Sequence, residues 1–235
     1  MQVYDKGVLI FRDTIVYSTS IGDRLRRLLL ENVMNERRGE IIDTSVMGGV
    51  LSMLIELGLD GDRVYENIFE TSFLSSTRTF YREESMLFIS QNTCPDYVRK
   101  VEGRLAQEAK RIVSYLAKTT EPKLKKILES ELIAAHAQTL VDMEQSGCVS
   151  MFRDARQQDL TALFSLLARV PRCLDYIREA MSQYVRATGT EIITDHDKTK
   201  ETPAAFLQKI LELKTQFSDI VSHCFQVWYV VKAVM

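Results

Sequence analysis

Proline and glycine are scarce in this sequence, which contains 4 prolines and 10 glycines among 235 residues. Because these two residues mark most turns between short strands, their scarcity favours long helices over a protein built from many strands. Apolar residues recur instead at steps of three and four along most of the chain, and no stretch alternates with period two for long. We therefore predict an all-α fold, an elongated helical-repeat bundle of about nine helices.

An excess of charge of either sign is also missing, since 30 Lys and Arg residues face 32 Asp and Glu residues and leave a net charge of −2. Such a balance gives no overall attraction to nucleic acid or to an anionic membrane, and we predict that the chain binds neither. Two short basic clusters fall within helical patterns, where we expect solvated faces: Arg24, Arg26, Arg27, Lys123, Lys125 and Lys126.

Cysteine pairs at metal-binding or redox spacing are missing too. The chain has 4 cysteines, Cys94, Cys148, Cys173 and Cys224, and no two of them form a CxxC pair. The N-terminus shows no basic-then-apolar leader, so we expect no signal peptide. Buried or incidental thiols in a reducing compartment are therefore expected, rather than a disulfide framework.

Motifs for catalysis and cofactor binding are also missing: GxxxxGK, GxGxxG and HExxH do not occur. We interpret His136 as a half-buried helix residue and Asp195-His196-Asp197 as part of a solvated loop. The pairs Glu83/Glu84 and Glu129/Glu131 have no apolar pocket implied around them, so we interpret them as facing solvent. We therefore predict a protein that is not an enzyme and has no catalytic, cofactor-binding or metal-binding residue.

Cap residues and breakers predict several helix ends. Asp43, Thr44 and Ser45 are typical N-terminal caps, and we expect the helix that follows to end at a left-handed Gly58. Gly48-Gly49 inside that helix requires either a closely packed neighbouring backbone or a weak helix. Because proline is tolerated in a first turn, further helices are expected to open at Cys94-Pro95, Thr120-Glu121-Pro122 and Thr202-Pro203.

Apolar stripes predict which helix faces are buried. The first two helices carry the stripes Tyr4, Val8, Phe11, Ile15 and Ile21, Leu25, Leu28, Leu29, the second of which should stop near Gly39. The stripe after Thr120 is predicted to be one helix up to Ser146-Gly147. The polar segment 188–202 is predicted to be a mobile loop, and a long amphipathic helix should follow it.

One helical unit occurs twice. Phe11 precedes Ile21, Leu25 and Leu28 and a closing Gly39, and Phe164 precedes Leu174, Ile177 and Met181 and a closing Gly189. A recurring helical unit without a catalytic motif is typical of a helical-repeat scaffold, and such scaffolds act by binding other proteins.

Short words along nearly the whole sequence resemble the cullin family, and within it the type that docks BTB-domain proteins. The words, which cover residues 1 to about 226 in order, are Val3-Tyr4, Phe11-Arg12-Asp13, Glu36-Arg37-Arg38-Gly39-Glu40-Ile41, Met53-Leu54, Leu57-Gly58-Leu59, Val64-Tyr65-Glu66, Phe69-Glu70, Phe73-Leu74, Phe80-Tyr81, Glu84-Ser85, Lys100-Val101-Glu102, Arg104-Leu105, Glu131-Leu132-Ile133, His136, Val141, Met143-Glu144, Ser146-Gly147, Asp159-Leu160 and Arg169-Val170-Pro171.

The resemblance implies a piece of a cullin stalk, which is built from stacked helical repeats. Residues 1–18 would end one repeat, 19–171 would form a complete repeat, and 172–226 would begin the next. It implies a non-catalytic scaffold of a RING-type ubiquitin ligase in the cytoplasm and nucleus, working in ubiquitin-dependent protein degradation. The BTB-type adaptor and the RING protein would be its partners, with their main contact regions outside this chain. Exposed repeat ends are expected to favour self-association.

The last residues depart from this resemblance. Residues 227–235 are mostly apolar where the family would turn polar, and we interpret them as a divergent tail from an altered or truncated reading of a gene. Two other classes of protein stay open as alternatives: an unrelated α-solenoid adaptor or vesicle-tethering module, and an all-α enzyme. The enzyme is disfavoured because paired acidic motifs such as DDxxD or ExxH are missing.

Overall fold

The structure is a computed structural model that describes residues 3–59, 63–199 and 202–225, with the side chains of 197–199 left out. Among these residues there is no strand, and nine α-helices have nine or more residues, which confirms the all-α prediction. The helices are α1 Val3–Phe11, α2 Thr19–Arg37, α3 Thr44–Glu56, α4 Arg63–Tyr65, α5 Thr71–Ile89, α6 Cys94–Ser114, α7 Thr120–Leu128, α8 Ala137–Asp142, α9 Cys148–Arg153, α10 Gln157–Leu167, α11 Leu174–Thr199 and α12 Pro203–Cys224.

The chain divides into two compact units. Unit 1 comprises Met1–Ser85 and Gly103–Glu131, and unit 2 comprises Met86–Glu102 and Leu132–Met235. Each unit has its own buried apolar side chains, for example Leu51, Phe69 and Leu124 in unit 1. The repeat boundaries expected from the sequence stay a prediction, and residues 227–235 lie outside the described residues.

The α2–α3 connection in unit 1 follows the cap residues. Gly39 has a φ of +97°, which ends α2 in the left-handed region where glycine has no Cβ to clash. The Asp43 side chain accepts hydrogen bonds from the backbone N–H groups of Ser45 and Val46 and so caps α3 as predicted. Close packing does not account for Gly48-Gly49, because a Cβ at Gly48 would lie at an ordinary contact distance of 3.6 Å from the carbonyl oxygen of Ser114 and a Cβ at Gly49 would have no atom within 4 Å.

The C-terminal end of α3 differs from the prediction. The left-handed residue after this helix is Leu59, with a φ of +51°, and Gly58 does not have a positive φ. The Leu59 N–H donates to the carbonyl of Glu56, so the turn closes one residue later than glycine placement indicates. A non-glycine residue in this region is strained by about 1–2 kcal/mol.

The buried face of α2 is not the apolar stripe predicted from the sequence. Ile21 and Leu28 are exposed by 43% and 44%, and Leu29 is the one member of that stripe that is buried. The residues of α2 that are buried are Gly22, Leu29, Val33 and Arg37. A helix turns by about 100° per residue, so the buried face is displaced by one residue from the predicted one. The α1 stripe is also wrong, because α1 has no buried residue.

Three helical segments of π type interrupt the α-helices at Arg12–Val16, Glu66–Glu70 and Glu129–Ala134. The Glu66–Glu70 segment joins α4 directly to α5, and the Glu129–Ala134 segment follows α7. A π-type turn inserts one extra residue and so shifts the side chains that follow it around the helix. The Glu129–Ala134 segment and the break before α8 interrupt the single helix predicted from Thr120 to Ser146, so that prediction is wrong.

Unit 2 is built around apolar and aromatic side chains. The rings of Phe152, Tyr184 and Phe217 contact one another with centroids 5.7–6.1 Å apart and join α9, α11 and α12. Gly147 precedes α9 in a space that admits no side chain, since a Cβ there would lie 2.4 Å from the carbonyl oxygen of Val141. The short helix α9 that follows was not expected from the sequence.

Helix α11 corrects two further predictions. It continues to Thr199, so most of the segment predicted as a mobile loop is helical, and Gly189 lies inside the helix rather than at its end. The apparent duplication therefore does not extend to the closing glycines. At α12 the prediction is confirmed, because Thr202 accepts from the Ala205 N–H and Pro203 occupies the first turn.

Candidate functional site

The most densely bonded group of polar side chains in unit 1 surrounds Arg37, the last residue of α2. Its Nε donates to Glu108 Oε1 of α6 over 2.9 Å, and its Nη2 donates to Thr77 Oγ1 of α5 over 2.8 Å. Both charged side chains are fully buried. The guanidinium also lies 5.2–5.4 Å from the ring centres of Phe73, Phe80 and Tyr81, at cation–π distance. One side chain thus connects three helices.

The bonding continues through Arg111 to a second carboxylate. Arg111 donates from Nη1 to Glu108 Oε1 over 2.9 Å and from Nε to Glu36 Oε2 over 2.7 Å. Tyr115 donates its hydroxyl to the same Glu36 oxygen over 2.7 Å, and Tyr81 donates to Glu108. The resulting chain Glu36–Arg111–Glu108–Arg37, which we call the ion-pair chain, has two positive and two negative charges and is therefore neutral as a whole.

Burial raises the pKa values of the two tyrosines that donate to the ion-pair chain. Burial, followed by the negative charge of Glu108, raises the pKa of Tyr81 well above its ordinary value. Burial and the hydrogen bond to Glu36 raise the pKa of Tyr115 in the same direction. Both hydroxyls are held as neutral donors, which is the form that a buried carboxylate requires of its partner.

A second buried carboxylate lies in the π segment before α5. Glu70 accepts from Thr120 Oγ1 over 2.8 Å and from Lys123 Nζ over 2.6 Å. The Tyr65 hydroxyl lies 2.9 Å from the same threonine oxygen, at the first residue of α7. This group joins α4, the π segment and α7, so Lys123 of the predicted basic face is an ion-pair partner.

Two carboxylates that were expected to face solvent are also ion-pair partners. The side chain of Glu131 is 9% exposed and lies 3.1 Å from Arg82 Nε and 3.5 Å from Arg78 Nε. Glu84 is held by Arg104, which also donates to the carbonyl of Arg37 over 3.0 Å. The prediction that the four glutamates face solvent is therefore wrong for Glu131, which is buried, and right for Glu83, which is exposed, while Glu84 and Glu129 are half-buried.

The weak site candidates of the sequence are dispersed. The His136 ring packs against Tyr97 in unit 2, with centroids 5.7 Å apart. His196 lies on α11, not in a loop, and its ring is 4.6 Å from that of Phe206. In the described part of the chain no three His, Cys, Asp or Glu side chains are placed to hold a metal ion. No helix there is long and apolar enough to cross a membrane.

The geometry of these clusters indicates a structural role. Most of their donors and acceptors point at one another, and only Arg37 Nη1 and Glu108 Oε2 of these clusters are buried without a hydrogen-bond partner among the described residues. A shallow depression beside α2, lined by Asp23, Arg26, Leu30 and Met34, is too open to bury a small molecule. Ligand sites bury most of their ligand, so neither feature has the form of a small-molecule site.

The ion-pair chain was not predicted from the sequence, because charged residues on helices are mostly exposed to solvent. One signal was available. Glu108 and Arg111 are three residues apart on α6 and so share a face, and that face continues from the apolar residues Tyr97 and Val101. A charged pair in line with an apolar stripe indicates polar partners on the helix that covers it.

Exposed apolar side chains mark where further protein can contact the chain. On α1 they are Val3, Tyr4, Ile10 and Phe11, between 44% and 90% exposed. On α11 and α12 they are Ile193, Leu207, Ile210 and Leu211. Groups of exposed apolar residues of this kind are typical of surfaces that bind protein.

The fold and these clusters define a class: an all-α protein whose helices are held by buried side-chain networks and whose exposed apolar faces suit protein contacts. The comparisons then identify the family. The model of the cullin alpha solenoid domain matches residues 1–234. The chain belongs to the cullin family.

Curated relatives agree with this assignment. The chain is similar to Cullin-3 of Dictyostelium discoideum, with 38% identity over 94% of this chain and 29% of that protein. It is 37% identical to Cullin-3B of Arabidopsis thaliana over 95% of this chain and 30% of that protein. It is 32% identical to Cullin-3 of Caenorhabditis elegans over 96% of this chain and 30% of that protein. The chain therefore spans about a third or less of the length of these relatives.

Proposed function

We propose that this chain is a non-catalytic scaffold segment of a cullin-RING ubiquitin ligase. It acts as a rigid spacer between the substrate-adaptor end and the RING end and so contributes to ubiquitin-dependent protein degradation. The observation that carries the proposal is the family match across residues 1–234 of an all-helical chain. The adaptor would be of the BTB type, in line with the similarity to Cullin-3 proteins.

The buried networks support a spacer role through their effect on rigidity. A spacer must keep its helices at fixed angles, and directional bonds between buried side chains resist rotation more than apolar contacts do. The ion-pair chain connects α2, α5 and α6 in this way, and Glu70 connects the π segment to α7. On this proposal, a mutation in either network loosens the spacer without removing a reacting group.

A chimera tests the proposal. The 221 residues of Dictyostelium Cullin-3 that align with this chain would be replaced by the matching residues of this chain. The ligase reassembled with its adaptor and RING protein is expected to ubiquitinate a substrate at a rate close to that of the parent. A folded chimera that binds both partners but does not support ubiquitin transfer would contradict the spacer role.

Co-purification separates the proposal from the alternative of an unrelated adaptor or tethering module. A tagged copy of the chain expressed in cells is expected to recover ubiquitin-ligase subunits, whereas a tethering module would recover vesicle-tethering subunits. No observation favours the tethering alternative, and the family match favours the ligase. Imaging of the tagged chain tests the further proposal that it resides in cytoplasm and nucleus.

Self-association is a further part of the proposal. The exposed apolar residues of α1 and of α11–α12 are expected to bring isolated chains together at micromolar concentration. Sedimentation velocity would show this as a weight-average mass above the 27.0 kDa of one chain. A monomer at every concentration tested would contradict it.

A further inference from the structure

Helix α2 has more than one apolar face that it could bury. Leu28, Leu29 and Leu30 follow one another, so they point in three directions around the helix. Leu29 is 4% exposed, whereas Leu28 is 44% exposed. With Ile21 and Leu25, Leu28 completes a stripe at helical spacing that is more apolar than the face actually buried. Apolar burial alone therefore does not select the observed packing of α2.

The inward face of α2 contains one buried arginine, Arg37, and one half-buried arginine, Arg26. Gly22, Arg26, Leu29, Val33 and Arg37 follow one another at steps of three and four. Arg26 Nε donates to the carbonyl of Ile68 over 3.1 Å, and Arg37 makes the buried bonds to Glu108 and Thr77. A rotation of α2 by one residue would move both arginines away from these acceptors. It would also take Arg37 away from the buried Glu108 carboxylate, which would keep Arg111 and the Tyr81 hydroxyl as donors.

We propose that the ion-pair chain through Arg37 selects which face of α2 is buried. Its directional bonds act together with the close approach of Gly22 to the Val16 carbonyl, where a Cβ would lie 2.6 Å away, to penalise the rotation that the three leucines would tolerate. Buried ionic groups are often no more stabilising than apolar residues of similar volume, so the gain here is a single packing rather than added stability. The proposal rests on the proposed function in one respect, since a spacer needs one geometry.

The test replaces the network by apolar residues of similar size in the full chain. Arg37→Met, Glu108→Leu and Tyr81→Phe together remove one positive charge, one negative charge and the hydroxyl that would otherwise be left without its acceptor. Arg111 keeps Glu36 as its partner. The thermal midpoint is expected to stay within about 3 °C of the parent, because the apolar replacements offset the lost bonds.

The packing of α2 is then read by chemical labelling. All four native cysteines are buried, so Leu28→Cys adds a thiol that can be followed on its own. In the parent this thiol is expected to react fast with a maleimide. In the triple variant it is expected to react several-fold more slowly, since a population of rotated helices buries it. Amide hydrogen exchange across α2 is expected to accelerate by about tenfold, as two packings interconvert.

Two further variants make the outcome decisive. Arg37→Lys keeps the charge but loses the planar fork, so α2 exchange should accelerate although the charge is still paired. Arg178→Met with Asp175→Leu removes an exposed ion pair of α11 and should change neither readout. The proposal is overturned if the triple variant exchanges and labels as the parent does. It is also overturned if that variant unfolds, because the network would then supply stability rather than selection.

These outcomes are separate from those of the ligase chimera. The labelling and exchange experiments use this chain alone, so they stand whether or not the chimera supports ubiquitin transfer. A chimera that works while the triple variant keeps one packing would remove the inference and leave the proposed function intact. A chimera that fails while α2 rotates in the triple variant would remove the proposed function and leave the inference intact.

Discussion

Unit 1 and unit 2 are stabilised by different kinds of buried side chain. Among the described residues, unit 1 buries all five charged residues that are buried anywhere, and unit 2 buries two serines as its polar residues. The charged residues are Arg37, Glu70, Glu108, Arg111 and Glu131. Conversely, all four cysteines are buried and all of them lie in unit 2.

The two kinds of buried side chain differ in how strictly they fix the arrangement of the helices around them. Apolar packing in unit 2 tolerates small shifts, because an apolar contact has no preferred direction. The buried ion pairs of unit 1 require donors and acceptors to meet at hydrogen-bond distance, so they admit fewer arrangements of the same helices. Unit 1 is therefore expected to be the more sensitive to loss of a single charge and unit 2 to loss of volume.

The largest effect is expected in unit 1 from Glu108→Leu alone. Arg37 would lose its carboxylate while fully buried, and breaking one side of such a pair typically costs about 3–5 kcal/mol. Urea unfolding followed by circular dichroism measures this loss. Asp175→Leu, at an exposed ion pair of unit 2, is the control and should cost less than about 1 kcal/mol. Equal effects of the two substitutions would mean that the buried pair has no special weight.

A slightly smaller effect is expected in unit 2 from Leu132→Ala. The Leu132 side chain is 2% exposed, and truncation of a buried leucine to alanine lowers the free energy of unfolding by about 2–5 kcal/mol. This loss should not depend on pH or salt, because no charge is involved. Leu207→Ala, at a 58% exposed position of α12, provides the matched control with little change.

Alkaline pH should affect unit 1 through its tyrosines. The folded-state pKa values of Tyr81 and Tyr115 are raised above the ordinary value of 10.0, chiefly by burial. The unfolded chain therefore loses these protons first as pH rises above 10, and stability falls by up to about 1.4 kcal/mol per pH unit for each tyrosine. Below pH 10 their contribution is fully present.

Paired substitutions isolate the tyrosine contribution. The variant with Tyr81→Phe and Tyr115→Phe is expected to have a shallower decline of unfolding free energy between pH 10 and 11, although it is less stable at pH 7. Tyr176→Phe, at a 38% exposed position of α11, serves as the control for loss of a tyrosine hydroxyl outside the ion-pair chain. An identical slope in the double variant would show that the tyrosines ionise in the folded protein as they do in water.

The smallest effect concerns the thiols of unit 2 and involves no loss of stability. Burial raises the pKa of Cys94 and of Cys148 to about 12. Since the thiolate is the reactive form, both residues should resist alkylation at pH 8 while the protein is folded and react rapidly once it is unfolded in urea. Mass spectrometry of the alkylated peptides distinguishes them, and fast labelling of either in the folded chain would contradict the structure.

Local rules predicted the helical fold and several of its ends well. The Asp43 cap and the Thr202-Pro203 start of α12 follow from short-range chemistry, and the structure shows both of them. The cullin resemblance, read from short words in order, was confirmed by the family match. The family and most of the long helices could therefore be predicted from the sequence, whereas the short helices α8 and α9 could not.

Predictions that depended on a distant partner failed. The buried face of α2 could not be derived, because the acceptors of Arg37 lie 40 and 71 residues further along the chain. Glu131 appeared to be a solvent charge for the same reason, since Arg82 on α5 is its partner. The 188–202 segment failed differently: its polar composition is typical of a loop, yet α11 continues to Thr199, and Thr190, Glu191 and Asp195 are exposed on it. The polar composition of this segment is typical of exposed residues, but it does not exclude a helix.

The neutral ion-pair chain of unit 1 also restricts how this part of the protein can evolve. Losing Arg37 or Glu108 singly strands a buried charge, so each first step toward another residue is expected to be selected against. Replacement of both, together with Tyr81, removes the stranded charge and the orphaned hydroxyl at once. Cullins of other lineages are therefore expected to keep these positions together or to exchange them as a set.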